Sequence, residues 1–529
     1  MRDDDDSVSD GHDVFAPDMC HVLTALRREM RRRFTSELRD PQSIVLLDMV
    51  DKVLEQLSSH YTLRVTGTEA KLRFQLEQLQ TLASIIDAGD VLAEAQEIES
   101  QGVVAGRSDS TVLHHERWIL NMLESTLSRT IDSLRTMSVP QQQAARATIG
   151  RLLQAEAQFL NALPEFGLKL VQPVAADAEE DRAQERDEAE AKLDPARVEA
   201  YLNSRVTHGP VRLSDIRSTM SGFSKETYIV RFSTRDQGDD VVVIRRDPPV
   251  AGSVEGCAAD ELPLLKALFQ AGIPVPEPLW AEHDPDILGR PFIAVRFVRG
   301  DTVVDARGRW IDNDPARAKL LAKILAQIHR LDLAQLPLPA DALALSLRAH
   351  VVREIDRFES IWKRRRLSHS STMSVAFAWM RRNVPTGSGQ PSLVHGDGSL
   401  KNMLVHEGRV SAMLDWELWH IGDPAEDLSY CRKEVERLMP WSEFLAHYYS
   451  HGGRPYNEQA GAFYEMWYQL RNGTMAMNIM WDFNSTAVSD NLRGLRQLFV
   501  GYPYYRHHMA LLCEQLMQPN KLGESRPIE

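Results

Sequence analysis

The sequence predicts an all-α helical bundle followed by an α+β unit of two lobes, and three observations carry that expectation. From about Val14 to Gln172 apolar residues recur near a 3.6-residue period, as in Val22, Leu23, Leu26, Met30 and Phe34, then Ile44, Leu47, Val50, Val53, Leu54 and Leu57. Beyond Pro195 the pattern changes to strand-like segments, Tyr228–Phe232 and Val241–Ile244, joined by a polar turn from Ser233 to Asp240. Between the two parts, Asp177 to Asp194 holds nine acids against Arg182, Arg186 and Lys192, with too few apolar residues to bury. Such a segment is a solvated helix or a tether.

Taken in order, residues 1–12 read as a disordered acidic tail and 13–173 as a helical domain. Its further helical stretches lie around 69–99, 111–137 and 141–170, separated by Gly102, Gly106 and Pro140, after an earlier break at Asp40-Pro41. Residues 174–194 form the acidic linker. The small lobe, 195–300, continues from its two strands into a helix over Ala258–Gln270, the turn Gly272-Ile273-Pro274-Val275-Pro276 and a strand at Phe292–Phe297. The large lobe, 301–520, is mainly helical after Pro315, with short strand-like pieces at Ser392–Val394, Met403–His406 and Val410–Leu414. A tail, 521–529, follows. A small α+β lobe beside a helical one leaves a cleft between them.

Composition narrows the class. With 529 residues, 43% hydrophobic and 26% charged, the chain is neither collagen-like nor wholly disordered. No apolar run approaches the roughly 18 residues of a membrane span, and the acidic start, Met1-Arg2-Asp3-Asp4-Asp5-Asp6, is unlike a signal peptide. The net charge of −14, of which the linker supplies −6, gives no reason to expect nucleic acid as a partner. Cys20, Cys257, Cys431 and Cys513 are far apart and form no CxxC pair, so reduced thiols in a cytoplasmic protein are expected rather than disulfides or a zinc centre.

The segment richest in chemistry is Leu393-Val394-His395-Gly396-Asp397-Gly398-Ser399-Leu400-Lys401-Asn402-Met403-Leu404, with Asp415 thirteen residues after Asn402. A strand ends in a loop that presents an Asp and, five residues on, an Asn; a hairpin then delivers a second Asp. Phosphoryl transfer needs this set: one carboxylate to orient and deprotonate a hydroxyl, and an amide plus a carboxylate to hold Mg²⁺ on nucleotide phosphates. Singly, each reads as a turn former or a surface acid. The ordered set points to a site.

His395-Gly396-Asp397 with Asn402, then Asp415, then Gly422-Asp423-Pro424-Ala425-Glu426-Asp427-Leu428, resembles the aminoglycoside phosphotransferase/choline kinase-like family, over about 193–520. The resemblance implies a protein-kinase-like fold and an ATP- and Mg²⁺-dependent kinase of a small-molecule hydroxyl. It makes Asp397 the catalytic base and Asn402 and Asp415 the Mg²⁺ ligands. Asp427 becomes a buried acid bracing the loop, with His395 and Asp423 as further structural support. In the small lobe, Ser221, Gly222, Phe223 and Ser224 stand where the family has its phosphate-covering turn, whose backbone N–H groups can approach anionic oxygens. Val242-Val243-Ile244-Arg245-Arg246 takes the place of the strand that carries a phosphate-gripping Lys. Strand alternation favours Arg245 as the inward residue, with Val243 on its face, and Glu261 fits the acid that pairs with that cation. Phe297 to Gly300 would follow the interlobe hinge.

Val242 to Pro249, Gly272 to Pro278 and Ile287 to Gly300 look more closely like the phosphotransferases associated with acyl-CoA dehydrogenases, which also tend to carry Arg at the Lys position. That branch includes kinases of hydroxyacyl-CoA thioesters. It often has a basic residue two after the catalytic Asp; here Ser399 stands there, and Lys401 is the candidate to reach the γ-phosphate instead.

Other features carry less. The basic runs at Arg27, Arg28 and Arg31 to Arg33, and at Lys363 to Arg366, read first as solvated helix faces, although the second suits the phosphates of a CoA-type substrate. His114-His115 and His507-His508 are adjacent on helices and point about 100° apart, so neither pair chelates one ion. Trp467, Tyr468, Arg471, Trp481 and Phe483 are equally core residues or walls of an acceptor site. Three functions follow, in order: a small-molecule kinase acting on a hydroxyacyl-CoA thioester, an aminoglycoside kinase, and a nucleotide-binding pseudokinase scaffold with a helical interaction domain. The helical domain is also the candidate for homo-oligomer contacts.

Overall fold

The structure, a computed structural model, describes residues 72–100, 109–161, 193–219, 225–236, 238–248, 256–304, 310–366, 370–385, 389–485 and 502–517. The tail 1–12, the run Arg27 to Arg33, the turn Ser221 to Ser224, residues 174–192 of the linker and the tail 521–529 lie outside these. The described chain divides into two compact units, 72–126 with 143–161, and 127–142 with the residues from 193 onward.

Helices make up the first unit: α1 (72–85), α2 (Gly89–Ser100), α3 (Asp109–Ser133) and α4 (Val139–Asn161), the last two extending into the second unit. On α1 the buried apolar residues are Leu72, Leu76, Leu79, Leu82 and Ala83, at helical spacing. Leu72 and Leu76 pack with Ala95, Ile98 and Ile119, and Trp118 covers the cluster. Pro140 stands in the first turn of α4, where its missing N–H costs nothing. A polar contact joins α4 to α1: Arg151 Nε donates to Gln78 Oε1 (2.9 Å), and its Nη2 donates to Thr148 Oγ1 (3.1 Å) on α4 itself.

The second unit begins with α5 (Pro195–Arg205), capped by Asp194, whose side chain accepts from the Ala196 N–H (2.9 Å). A five-stranded antiparallel sheet follows, built from β1 (Val211–Thr219), β2 (Glu226–Thr234), β3 (Gly238–Arg246), β4 (Pro278–Glu282) and β5 (Phe292–Arg296), in the order β1-β2-β3-β5-β4. Its two faces go to different cores. Tyr228, Val230, Phe232, Val242, Ile244 and Phe292 pack against Val198, Tyr201 and Leu202 of α5. On the other face Val243, Ile293 and Val295 join Leu264, Leu265 and Leu268 of α6 (Leu262–Gln270). Strand alternation thus places Arg245 beside Val243 on the α6 face, and Arg246 with Ile244 on the α5 face. The helix expected over Ala258–Gln270 is a 3₁₀ turn, Ala258–Glu261, before α6, because Pro263 restarts the helix.

The core on the α6 face continues into the helical lobe, through Leu321 and Leu325 of α7 (Pro315–His329), then Leu393, Leu400, Met403 and Trp416. α8 (Leu347–Arg365) and α9 (Ser371–Arg382) precede two small antiparallel ladders. β6 (Ser392–Val394) pairs with β9 (His420–Gly422), and β7 (Met403–His406) with β8 (Arg409–Met413). Then come α10 (Ala425–Val435), α11 (Trp441–Ser450), α12 (Glu458–Ser485) and α13 (Tyr502–Met517). Just after β5 the chain crosses against the β7–β8 hairpin: Asp301 bridges Val405, and a Cβ on Gly300 would lie 2.7 Å from Ser411 Oγ. The described residues between 193 and 517 therefore form the two lobes that the sequence predicts, a small one built on a sheet and a larger helical one. Among the described residues no helix is long and apolar enough to cross a membrane.

Candidate active site

Arg245 is the junction between the lobes. Its Nη1 donates to Glu261 Oε2 and its Nη2 to Asp415 Oδ1, both at 2.8 Å. Glu261 is 5% exposed, and burial raises its pKa while the Arg245 charge opposes the rise. The fork stays charged: against burial, the carboxylates of Glu261 and Asp415 push its pKa further up. Arg246, the neighbour on the opposite face, is spent on structure. Its guanidinium reaches Glu226 Oε2 (2.7 Å) and the Leu288 carbonyl (2.7 Å) and lies over the Tyr228 ring.

Below β6, the loop that carries Asp397 hangs on Asp427. The first-turn carboxylate of α10 accepts from the His395 N–H (2.8 Å), the Gly396 N–H (2.9 Å) and His329 Nε2–H (3.0 Å). Burial would raise the Asp427 pKa, but the His329 hydrogen bond and these donors outweigh it and hold the carboxyl below its usual range. Behind it the Tyr448 hydroxyl donates to His329 Nδ1 (2.8 Å) and accepts from the Arg454 N–H (3.2 Å). Gly396 has φ +81°, and a Cβ there would meet the Leu418 carbonyl oxygen at 2.4 Å, so this position admits only glycine. His395 is fully buried and its pKa is lowered by that burial. As a neutral ring it accepts from the Asp397 N–H at Nδ1 (3.2 Å) and donates from Nε2 to the Leu414 carbonyl (3.0 Å).

Asp397 emerges half-buried from this support. Its carboxyl is pushed up to about 6, by burial first and the Asp415 charge second, against hydrogen bonds from Tyr430 and Asn402 and the Arg471 charge. Asn402 Nδ2 donates to both Asp397 Oδ2 (2.7 Å) and the Asp397 carbonyl (2.9 Å), which leaves its Oδ1 facing away from those bonds. Asp415 follows β8 with φ +67°, a left-handed conformation that strains a non-glycine residue. Asp423 caps the next helix, its Oδ1 accepting from the Ala425 N–H (2.9 Å).

Lys401 departs from its expected place, while the basic run of α8 keeps to its first reading as a helix face. Lys401 turns away to Glu434 (2.8 Å), a pairing with α10 that spacing could not reveal, while Ser399 is buried. In the basic run of α8, Lys363 pairs with Glu359 (2.8 Å) and Arg365 with Asn478 (2.7 Å), so these cations answer to their own lobe.

Sequence reasoning missed His420 and Tyr430, which join Glu426, Trp467 and Arg471 in one cluster. His420 donates from Nε2 to Glu426 (3.1 Å) and from Nδ1 to the Leu418 carbonyl (3.0 Å). Burial disfavours its charge, yet Glu426 and Glu354 push its pKa up to about 9, so it is an imidazolium. Glu426 also accepts from Trp467 Nε1 and Arg471 Nη1, each at 2.9 Å, and Arg471 lies over the Tyr430 ring. Tyr430 sits three residues after Asp427 on α10, the one sequence signal that puts both on the side facing the loop. The structure therefore brings Arg245, Glu261, Asn402, Asp397 and Asp415 into one linked set, with His395, Asp423 and Asp427 beneath it.

The model of the phosphotransferase enzyme family (APH) matches residues 215–464. Acyl-CoA dehydrogenase family member 11 of Gallus gallus is 31% identical over 255 residues, covering 45% of this chain and 31% of that protein. Its counterpart in Rattus norvegicus is 30% identical over 288 residues, 52% of this chain and 35% of that protein. The chain thus spans about a third of the length of these curated relatives. Among solved structures, macrolide 2'-phosphotransferase MphH from Brachybacterium faecium is 20% identical, with a TM-score of 0.37 over 63% of this chain and 100% of that one.

Proposed function

We propose, from the match of residues 215–464 to the phosphotransferase enzyme family, that the chain transfers the γ-phosphoryl group of ATP to a hydroxyl of a small molecule. The observation that carries this reading is the linked set of Asp397, Asn402, Asp415, Arg245 and Glu261. Asp397, at about 6, is ionised at neutral pH and takes the proton as the acceptor oxygen forms its bond to phosphorus. The bond from phosphorus to the β-phosphate oxygen breaks, and ADP leaves with that electron pair. Little covalent chemistry is asked of the protein; it positions the reactants and balances charge.

The donor set suits a hard cation. Asn402 Oδ1 and the second Asp415 oxygen are oxygen ligands of the kind Mg²⁺ takes, and both side chains are already oriented by other bonds. Bound there, Mg²⁺ would neutralise phosphate charge. Arg245, fixed by Glu261, offers the phosphates a planar fork, and residues 221–224 are proposed to cover them.

For the acceptor we favour a hydroxyacyl-CoA thioester. Two observations support it: the acyl-CoA dehydrogenase names of the relatives that match this region, and the Arg471 charge that acts on Asp397. A polycationic aminoglycoside would meet that charge unfavourably. The test is Mg²⁺-dependent ADP release by wild type and Asp397→Ala, across hydroxyacyl-CoAs, aminoglycosides and choline-like alcohols. Acceptor-dependent release by wild type alone supports the reading. ATP binding without turnover on any acceptor favours a pseudokinase scaffold.

A further inference from the structure

The 3₁₀ turn that ends in Glu261 carries a second group of side chains that the phosphotransfer set does not use. Cys257 caps this turn, its backbone N–H donating to Asp260 Oδ2 at 2.9 Å. The Cys257 thiol lies 3.4 Å from Nδ1 of His283, the residue that follows β4. His283 Nε2 is 3.9 Å from Asp260 Oδ1, and one ligand atom from each of the three residues falls within 4.8 Å of the other two. Cys257 is half-buried; Asp260 and His283 are exposed and face solvent.

We propose that Cys257, His283 and Asp260 form a binding site for a zinc-class divalent cation, with water as the fourth ligand. Zn–S and Zn–N bonds of about 2.3 Å and 2.0–2.1 Å, at a tetrahedral angle, put sulfur and nitrogen about 3.5 Å apart. The thiol and imidazole already have that separation, so the two strongest ligands need almost no rearrangement. The third ligand is near but must turn, since Asp260 Oδ1 faces Nε2 and the thiol lies beside Nδ1. Asp260 Oδ2 is held by the Cys257 N–H, which leaves Oδ1 toward His283, and this kind of outer bond supports a metal-binding carboxylate. A mixed sulfur, nitrogen and oxygen set selects zinc or cobalt over Mg²⁺, which demands oxygen. This separates the site from the all-oxygen set at Asn402 and Asp415, and the inference does not depend on the phosphotransfer reading.

A reactive or redox-sensing thiol is the competing use of Cys257. Burial and the nearby Asp260 raise its pKa, which makes the free thiol a poor nucleophile. Metal binding removes that proton to solvent as the thiolate coordinates, so affinity rises with pH. The ion would tie the turn before α6 to the end of β4, beside the residue that fixes Arg245.

The test uses the full chain, stripped of metal and held in saturating Mg²⁺, titrated with Co²⁺. Expected is a thiolate-to-cobalt charge-transfer absorption that saturates at one equivalent, is displaced by Zn²⁺ and strengthens with pH. Cys257→Ser should lose the band, and His283→Gln should lose its saturation at one equivalent. Absence of the band in wild type overturns the proposal, as does a band that survives Cys257→Ser or an undisturbed titration in His283→Gln. His283 is exposed, so its variant decides the matter even where Cys257→Ser fails to fold.

Discussion

Arg245 and Asp415, 170 residues apart in sequence, are joined by a 2.8 Å ion pair whose other half is Glu261. One guanidinium thus links the small-lobe sheet, the turn before α6 and the hairpin that ends in Asp415. A Lys has one compact charge and no planar fork, so it could not hold both carboxylates in these directions.

Arg245→Gln should therefore cost both stability and nucleotide affinity. It leaves Glu261 buried without its cation, a loss of roughly 3–5 kcal/mol for a broken buried pair. Arg245→Lys should recover most of the stability but less of the ATP affinity. Thermal unfolding together with ATP titration calorimetry separates the two effects. Wild-type ATP binding in Arg245→Gln would remove the fork from the phosphate site.

Turnover should rise with pH through a limb near 6, where Asp397 ionises, and level off above it. Tyr430→Phe removes a hydrogen bond that favours the ionised carboxyl, so the limb should move to higher pH with ATP affinity unchanged. The pH profile of kcat for both proteins is the measurement. An unmoved limb in Tyr430→Phe means that the phenol does not act on Asp397.

The sequence told more about the motif residues than about what surrounds them. Asp397, Asn402 and Asp415 are legible because their order along one loop and hairpin is itself the geometry. Arg245 is legible because strand alternation has only two faces to choose from. Tyr430 and His420 are not, since the bonds of the first to Asp397 and of the second to Glu426 come from packing between α10, α12 and β9, which local spacing does not encode. β1 is missed for a different reason: among Val211 to Thr219 only Val211, Leu213 and Ile216 are apolar, as suits an edge strand with one neighbour. Lys401 is misread because its nearest acid, Glu434, arrives from a helix thirty-three residues on.

Stability should fall as the medium turns alkaline. His420 has a folded pKa of about 9 against an ordinary 6.5, so its contribution is complete below 6.5 and is lost as pH rises through 9. That contribution is on the order of 3 kcal/mol. His420→Gln should flatten the fall between pH 6.5 and 9 while lowering stability at neutral pH, because Glu426 then loses one of its cations. Chemical denaturation at several pH values reads this directly, and equal slopes for the two proteins would contradict an imidazolium at this position.

Gly396→Ala is the sharpest test of the loop's construction. The substitution places a methyl group 2.4 Å from the Leu418 carbonyl oxygen and forces a non-glycine residue to φ +81°. Backbone strain of that kind costs about 1–3 kcal/mol before the clash is added. Relief requires the loop to move from Asp427, whose carboxylate holds the N–H groups of His395 and Gly396. Asp397 then leaves its bond with Asn402, and turnover should fall by at least about 100-fold, the penalty of a displacement near 1 Å. Arg245 lies across the cleft and is untouched, so ATP affinity should fall far less. Steady-state kinetics beside ATP calorimetry distinguishes this outcome from general unfolding, which would lower both together.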